Sequence, residues 1–177
     1  ADVVVFDADL VGDKATYKDP QRHTVGIEHV LINGVPVVRD GQALDMTAAR
    51  LGEHGLRDRA ALLHESHANM RRSLPAGLEG HIAAILFNLG YLPGGEKSIT
   101  TRTGSTLKAL DQSLELLQPG GILSVMAYVG HPGGQEENRA ILDWLQSLPE
   151  TLSWQQLNLD CPPHSPRLYK VLKSCGS

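Results

Sequence analysis

The sequence predicts an α/β fold in which a mostly parallel sheet carries helices on both faces. From residue 42 onward, short apolar runs alternate with segments of helical period, an order typical of parallel strands joined by crossover helices. The runs are continuously apolar, as expected of strands that are buried on both faces. The first 41 residues do not alternate in this way, and they are predicted to be rich in β-structure.

The N-terminal segment predicts strands without a helix between them. Val3–Phe6 is a short apolar run that predicts a buried strand, and the polar stretch Gly12–Gly26 predicts a loop. His29–Ile32 and Val35–Val38 flank an Asn-Gly pair, which favours a hairpin because both turn residues need positive φ. Pro36 lacks an amide hydrogen, so the second strand of the hairpin is expected at an edge.

The pattern changes near Gly41, and the later elements follow in the order α, β, α, β, α, β, α, β, β. The helices are predicted at 42–55, 66–74, 107–117 and 136–148, and the strands at 61–63, 81–87, 122–129, 152–159 and 168–172. Gly55 is expected to end the first helix. The length of 177 residues suits one domain, with a β-rich segment at 1–41 and an α/β segment at 42–177.

Composition excludes several classes of function. Sixteen basic and twenty acidic residues give a net charge of −4, whereas a general polyanion binder is usually basic, so any contact with nucleic acid is expected to be local. Ile122–Val129 is among the longest apolar runs and is far shorter than the roughly 20 residues of a membrane helix. Cys161 and Cys175 match no metal spacing and no disulfide framework. We expect a cytoplasmic protein without a metal, either monomeric or homodimeric.

Two motifs are more specific than any of these patterns. They are Phe87-Asn-Leu-Gly-Tyr-Leu-Pro-Gly-Gly95 followed by Lys97-Ser-Ile-Thr-Thr101, and Tyr128-Val-Gly-His-Pro-Gly-Gly134. On these motifs, residues 42–177 resemble a family of S-adenosylmethionine-dependent methyltransferases described as rRNA methylases. That family is now associated with methylation of the 5-aminomethyl group of wobble uridine in tRNA. The resemblance implies a Rossmann-like methyltransferase sheet, S-adenosylmethionine as cofactor and tRNA as partner.

Residues 1–41 resemble a different family. Ala1–Asp7 and Gly26–Gly41 are similar to the C-terminal tail of N-acyl-D-amino-acid deacylases, which are metal-dependent amidohydrolases. In that family the tail belongs to a small β-domain away from the catalytic metal, so it implies no hydrolase activity here. We interpret the chain as a chimera in which a β-rich segment replaces the first βαβ unit of the methyltransferase sheet.

The replacement affects the residues expected to bind the cofactor. The methyltransferase family opens with a strand and a loop of the type Asp-Ala-Thr-x-Gly-Asn-Gly-His-Asp-Thr, whose glycines let backbone amides approach the cofactor. Here the region Asp9–Asp13 has one glycine, so binding is expected to be weak or absent. The remaining candidates for cofactor binding are Asp7, Asp40 for the ribose, Ser66, His67, Asn88 and Leu89. Ser66 has an equally good interpretation as a helix N-cap.

The candidate catalytic residues are Asn88, Tyr91 and His131, which follow predicted strands. Asn88 resembles in position the Asn/Asp-Pro-Pro-Tyr loop of amine methyltransferases, where an amide oxygen and a backbone carbonyl orient the acceptor amine. His131 is a candidate to remove or relay a proton, or else a loop histidine bonded to the backbone. The candidates for substrate binding are Gly94, Gly95, Lys97, Thr100, Thr101, Tyr128 and Gly130.

Two main interpretations of function therefore stay open, and a fragment of a deacylase is a third, less supported one. The first is methyl transfer to the aminomethyl nitrogen of tRNA wobble uridine, with Lys97–Arg102 holding phosphates of the anticodon arm rather than forming a solvated loop before a helix. The second is a catalytically silent scaffold, chimeric or engineered, that keeps a methyltransferase-like fold. Asn88, Tyr91, Lys97 and His131 are expected to converge on one cleft at the carboxyl ends of the strands.

Overall fold

The computed structural model describes residues 2–6, 27–33, 42–90 and 101–175. Its helices are α1 (Gln42–Glu53), α2 (Met70–Ser73), α3 (Thr103–Leu116) and α4 (Gly134–Gln146), with short 3-10 turns at Arg57–Arg59 and His67–Asn69. Its strands are β1 (Asp2–Phe6), β2 (Ile27–Asn33), β3 (Ala61–Glu65), β4 (Ile82–Asn88), β5 (Leu117–Ala127), β6 (Leu152–Gln156) and β7 (Arg167–Lys173). Within these ranges, no helix is both long and apolar enough to cross a membrane.

The seven strands form one sheet in the order β3-β2-β1-β4-β5-β7-β6. The pairs β2–β3 and β4–β5 are parallel, β1 is antiparallel to β2 and to β4, and β7 is antiparallel to β5 and to β6. Strands β2, β3, β4, β5 and β6 therefore all point the same way, and β1 and β7 oppose them. This confirms the mostly parallel sheet that the alternating sequence predicted.

Helices cover both faces of the sheet, as predicted. Helix α1 lies between β2 and β3 in sequence, and α3 lies between β4 and β5. Both connections join adjacent parallel strands, but they step in opposite directions along the sheet. Because such crossovers are right-handed, the two helices lie on opposite faces.

The main core lies between the sheet and the helices α2, α3 and α4. It is built from alternate residues of the central strands and from the apolar stripes of these helices, including Met70, Ile85, Phe87, Leu110, Leu116, Leu123, Val125, Ile141, Leu145, Tyr169 and Val171. The intervening residues of the same strands face the other way and are less covered, since Leu86 is 37% and Ile122 is 38% exposed. The candidate residue Asn88 shares this more open face with Leu86 because side chains alternate along a strand.

The end of α1 shows how directly the sequence specifies some local structure. Gly55 has φ of 66°, its N–H donates to the Gly52 carbonyl at 3.0 Å, and the Leu56 N–H donates to the Leu51 carbonyl at 2.8 Å. These two bonds form a Schellman motif, in which the left-handed residue is usually glycine. The helix end predicted at Gly55 is therefore confirmed by its geometry.

Strand β5 begins and ends earlier than predicted. The strand was predicted at 122–129 after a helix at 107–117, but β5 already starts at Leu117 and ends at Ala127, and it includes Gly120 and Gly121. A Cβ on Gly121 would lie 2.8 Å from the Gln118 carbonyl oxygen and 3.1 Å from that of Ile82. The glycine thus permits close passage of β5 beside β4 and does not interrupt the strand.

The N-terminal strands join the same sheet but not in the predicted arrangement. Both edges of β2 are occupied, by β1 on one side and β3 on the other. The second half of the predicted hairpin, Val35–Val38 with Pro36, lies outside the described residues, as does the predicted loop Gly12–Gly26. In β1, Asp2 lies opposite Asn88 and Phe6 lies opposite Ala84. The carboxyl end of β1 is therefore at the edge of the sheet away from Asn88.

Candidate functional site

The loops after β4 and β5 meet at one edge of the sheet. The Leu89 N–H donates to the Met126 carbonyl at 2.8 Å, so the two strands remain joined just beyond the end of β4. Gly90 has φ of 127°, and a Cβ there would lie 3.2 Å from the Cβ of Tyr128. The structure therefore brings the segment Asn88–Gly90 against Tyr128, with the Tyr128 side chain packed over the glycine.

Asn88 and Leu89 are adjacent in sequence but have different environments. Asn88 is exposed at the end of β4, with Met126 and Asp2 as its neighbours across the sheet. Leu89 is buried in the core, and its N–H is already bonded to Met126. Asn88 is thus available to a ligand, whereas Leu89 offers at most its carbonyl.

Gly90 and Thr101 hold the two ends of the segment 91–100 together. The Thr101 N–H donates to the Gly90 carbonyl at 3.0 Å, and the Gly90 N–H donates to Thr101 Oγ1 at 3.2 Å. The segment between them contains predicted site residues that lie outside the described residues, namely Tyr91, Gly94, Gly95, Lys97 and Thr100. Thr101 itself is buried, so it does not offer an exposed phosphate contact.

A buried carboxylate lies behind this anchor. Thr101 Oγ1 donates to Glu137 Oε2 at 2.5 Å, and Thr106 Oγ1 donates to Glu137 Oε1 at 2.6 Å. Glu137 is only 3% exposed. The sequence interpretation did not include Glu137, although a signal existed: it precedes Ile141 by four residues, which places a carboxylate on the apolar stripe of α4.

His131 packs against the start of α4. Its Nδ1 lies 2.9 Å from the Pro132 carbonyl oxygen, which can only accept, so Nδ1 carries the proton and a neutral ring has its lone pair on Nε2. Nε2 is buried beside Gly134, where a Cβ would lie 3.0 Å from it and 2.4 Å from the Tyr128 carbonyl oxygen. This is the alternative that the sequence left open, a loop histidine bonded to the backbone.

An open cleft of about 410 Å³ adjoins His131 on its other side. It is bounded by the loop after β5, the start of α4 and the loop before β7, and its lining includes Gly130, His131, Glu136 and His164. Asn88 does not line it. The two candidate catalytic residues therefore follow neighbouring parallel strands at the same edge, but this cleft does not join them.

Ser66 caps the short 3-10 turn His67–Asn69, and His67 lies in the core. Ser66 Oγ accepts from the Ala68 N–H at 3.3 Å, which is the N-cap that the sequence allowed as an alternative. The His67 ring is 2% exposed and packs edge-on against Phe87, with centroids 6.3 Å apart. Burial lowers the pKa of His67 to about 4, and in the described part of the chain neither ring nitrogen has a hydrogen-bond partner.

The described residues do not fit a complete site for S-adenosylmethionine. Phe6, the last described residue before Asp7, pairs with Ala84 and so lies at the edge away from Asn88. The Ser66 hydroxyl is occupied as a cap and His67 is enclosed by the core. Asp7 and Asp40 lie outside the described residues. Among the residues that the structure describes, no group of three His, Cys, Asp or Glu side chains is arranged to hold a metal ion.

The fold and motifs agree with solved structures. A family model described as “Putative rRNA methylase” matches residues 39–168. A Clostridium thermocellum structure with the same description is 32% identical, with a TM-score of 0.69 over 76% of this chain and 71% of that one. A Streptococcus mutans methyltransferase-like protein, solved in complex with SAH, is 28% identical, with a TM-score of 0.67 over 82% of this chain and 74% of that one.

Two curated proteins match different amounts of the chain. The chloroplastic tRNA (mnm(5)s(2)U34)-methyltransferase of Arabidopsis thaliana is 38% identical over 106 residues, which are 58% of this chain and 38% of that enzyme. The N-acyl-D-glutamate deacylase of Alcaligenes xylosoxydans is 62% identical over 37 residues, which are 21% of this chain and 8% of that enzyme. The family match begins at residue 39, close to Gly41, where the sequence pattern changes. The chain therefore belongs to the rRNA methylase family, and it also carries a short match to a deacylase.

Proposed function

We propose that this chain retains the acceptor side of a methyltransferase site and binds S-adenosylmethionine weakly or not at all. Its acceptor is the aminomethyl nitrogen of wobble uridine in tRNA. One observation carries the proposal: the loops after β4 and β5 meet at one edge of the sheet, while β1 ends at the opposite edge. In the chimera that we propose, the deacylase-like segment supplies strands to the sheet and lacks the glycine-rich sequence of a cofactor turn.

The acceptor side is supported by Asn88 and Tyr128. The exposed Asn88 amide oxygen accepts an N–H of the acceptor amine and thereby directs the nitrogen lone pair. Tyr128 is 39% exposed beside Gly90, so its ring offers a face on which an unstacked base can lie. The name of the Arabidopsis relative specifies U34 of tRNA, which is the wobble uridine, and this supports the choice of acceptor.

His131 has a positioning role in this proposal. Its Nδ1–H is bonded to the Pro132 carbonyl, and its Nε2 is turned toward Gly134. These contacts fix the loop that carries Tyr128 and Gly130 against the start of α4. A neutral amine needs no strong base to act as a nucleophile, so the acceptor side does not depend on proton removal by His131.

We infer that the cofactor side is incomplete because the sequence after β1 lacks the family's glycine-rich pattern. Such a turn supplies backbone amides at close range, and Asp9–Asp13 has a single glycine. Loss of two or three hydrogen bonds at about 1 kcal/mol each, more where the partner is charged, weakens binding by roughly one to three orders of magnitude.

The experiment is a binding titration with two anticodon stem-loops that differ only at the wobble position. One carries 5-aminomethyluridine and the other carries uridine. We expect tighter binding of the aminomethyl form, and we expect Asn88→Ala to remove most of this preference. Gln146→Ala, which removes an exposed amide at the end of α4, is the matched control and should leave the preference unchanged.

A catalytically silent scaffold is the second candidate function, and the direction of β1 favours it. A scaffold of this kind binds neither stem-loop, or binds both equally. Equal binding by the unsubstituted chain would therefore contradict the proposed acceptor and leave the scaffold. Methyl transfer to the aminomethyl stem-loop with S-adenosylmethionine in large excess is expected to be slow or undetectable.

A further inference from the structure

We propose that Glu137 is a positioning residue that fixes the junction between Gly90 and Thr101. The inference rests on the proposed function only in identifying Asn88 and Tyr128 as part of the acceptor site. Gly90 lies two residues after Asn88 and packs against Tyr128. Gly90 and Thr101 are bonded to each other, and Thr101 is bonded to Glu137.

Glu137 joins three separate parts of the chain through one carboxylate. Oε2 accepts from Thr101, which lies just before α3, and Oε1 accepts from Thr106 in the first turn of α3. Glu137 itself lies in the first turn of α4, where a negative charge is favoured by the helix dipole. The carboxylate therefore sets the position of Thr101 relative to both helices.

Thr101 links Glu137 to Gly90 through its hydroxyl group. Its hydroxyl has one hydrogen, which is donated to Glu137, and its oxygen accepts from the Gly90 N–H at 3.2 Å. A hydroxyl whose hydrogen is fixed by a carboxylate presents its lone pair in a defined direction. The bond to Gly90 thus depends on Glu137, although the two residues lie on different elements.

Burial makes this arrangement stringent. Thr101, Thr106 and Glu137 are all buried, so a partner lost by any of them is not replaced readily by bulk water. The two threonines differ in one respect that can be tested. Thr101 bonds both the carboxylate and Gly90, whereas the hydroxyl of Thr106 bonds the carboxylate.

The test compares Thr101→Val with Thr106→Val by hydrogen exchange of the Gly90 N–H. Both substitutions are nearly isosteric and remove one bond to the same carboxylate. We expect exchange of the Gly90 N–H to rise roughly tenfold more in Thr101→Val than in Thr106→Val, because only the former removes the acceptor of that N–H. Equal exchange in the two variants, or no increase in either, would overturn the proposal.

A second pair of variants tests Glu137 directly. Glu137→Gln keeps the shape but places an amide N–H₂ against one threonine, and Asp143→Asn makes the same chemical change at an exposed position of α4. We expect faster exchange of the Gly90 N–H in Glu137→Gln and no change in Asp143→Asn. Unchanged exchange of the Gly90 N–H in Glu137→Gln would overturn the proposal, because the carboxylate would then stabilise only the helices.

The stem-loop titration separates this proposal from the proposed function. If the aminomethyl stem-loop binds the unsubstituted chain, Thr101→Val should weaken that binding more than Thr106→Val. If it does not bind, the proposed acceptor fails, while the exchange data still decide the role of Glu137. Equal weakening by both threonine variants would contradict the positioning role.

Discussion

The sheet edge after β4 and β5 differs from the strand that lies beside it. At β4 and β5 the strands are parallel, Leu89 just after β4 is hydrogen-bonded to Met126 of β5, and the buried Glu137 carboxylate holds Thr101 against Gly90. Beside them, β1 fills its place in the same sheet but runs the other way. A strand can therefore complete a sheet without completing the site at the edge of that sheet.

The first prediction tests the direction of β1, and its expected effect is all or none. In a Cys161→Ser, Cys175→Ser background, Asp2→Cys with Asn88→Cys should form a disulfide on mild oxidation. Paired residues of antiparallel strands have Cα atoms roughly 4.5–5.5 Å apart, within the range that a disulfide spans. The matched pair, Phe6→Cys with Asn88→Cys, should not cross-link, because Phe6 lies four residues further along the strand, about 13 Å away.

Cross-linking of the Phe6 pair in place of the Asp2 pair would contradict the antiparallel pairing of β1 with β4. It would show β1 parallel to β4, with its carboxyl end at the site edge. The cofactor side would then have a strand end from which to build a turn.

The second prediction concerns His67, a predicted cofactor residue that the structure places in the core. Its pKa is about 4 in the folded chain against 6.5 ordinarily, so the unfolded chain binds more protons between these values. The neutral His67 ring therefore contributes fully to the stability of the folded chain above pH 6.5, and this contribution is lost as the pH falls toward 4. We expect a loss of roughly 3 kcal/mol in the free energy of unfolding over this range.

Urea unfolding between pH 7 and pH 4 measures this effect. His67→Leu should flatten the dependence on pH, whereas His81→Gln, at an exposed position, should retain it. If the free energy of unfolding depended on pH equally in the unsubstituted chain and in His67→Leu, the buried position of the His67 imidazole would be contradicted.

The third prediction concerns the packing of Gly134 against the loop after β5. Gly134→Ala directs a Cβ toward the Tyr128 carbonyl oxygen at 2.4 Å, so the loop carrying Tyr128 and His131 must shift. We expect a cost of about 1–3 kcal/mol in unfolding free energy. Gly104→Ala in α3 meets nothing within 4 Å and should stabilise the chain by about 0.5–1 kcal/mol. Thermal unfolding of both variants checks the opposite signs, and equal signs would contradict this packing.

Much of the fold could be predicted because the relevant signals are local. The apolar run at 82–87 and the helix-ending glycine at Gly55 each specify a structure through neighbouring residues. The direction of β1 is a different kind of property. An apolar run such as Val3–Phe6 buries equally well in either direction, so its pattern predicts a strand without predicting which end lies at the site.

The candidate site was predicted in part for similar reasons. Asn88 could be found because it follows a buried strand within a specific motif. Glu137 was missed because a carboxylate on an apolar stripe has meaning only when its partners, Thr101 and Thr106, come from other elements. His67 was assigned to the edge because the turn after β3 could not be traced across to Phe87 from the sequence.

We propose that the chain keeps the acceptor side of its family's site and lacks the cofactor side. The decisive measurement is a calorimetric titration with S-adenosylmethionine, with the Streptococcus mutans relative, solved in complex with SAH, titrated alongside. We predict a dissociation constant roughly ten to a thousand times larger than that of the relative, or no measurable heat. A low-micromolar constant equal to that of the relative would contradict this proposal, because it would require a complete cofactor site despite the reversed β1.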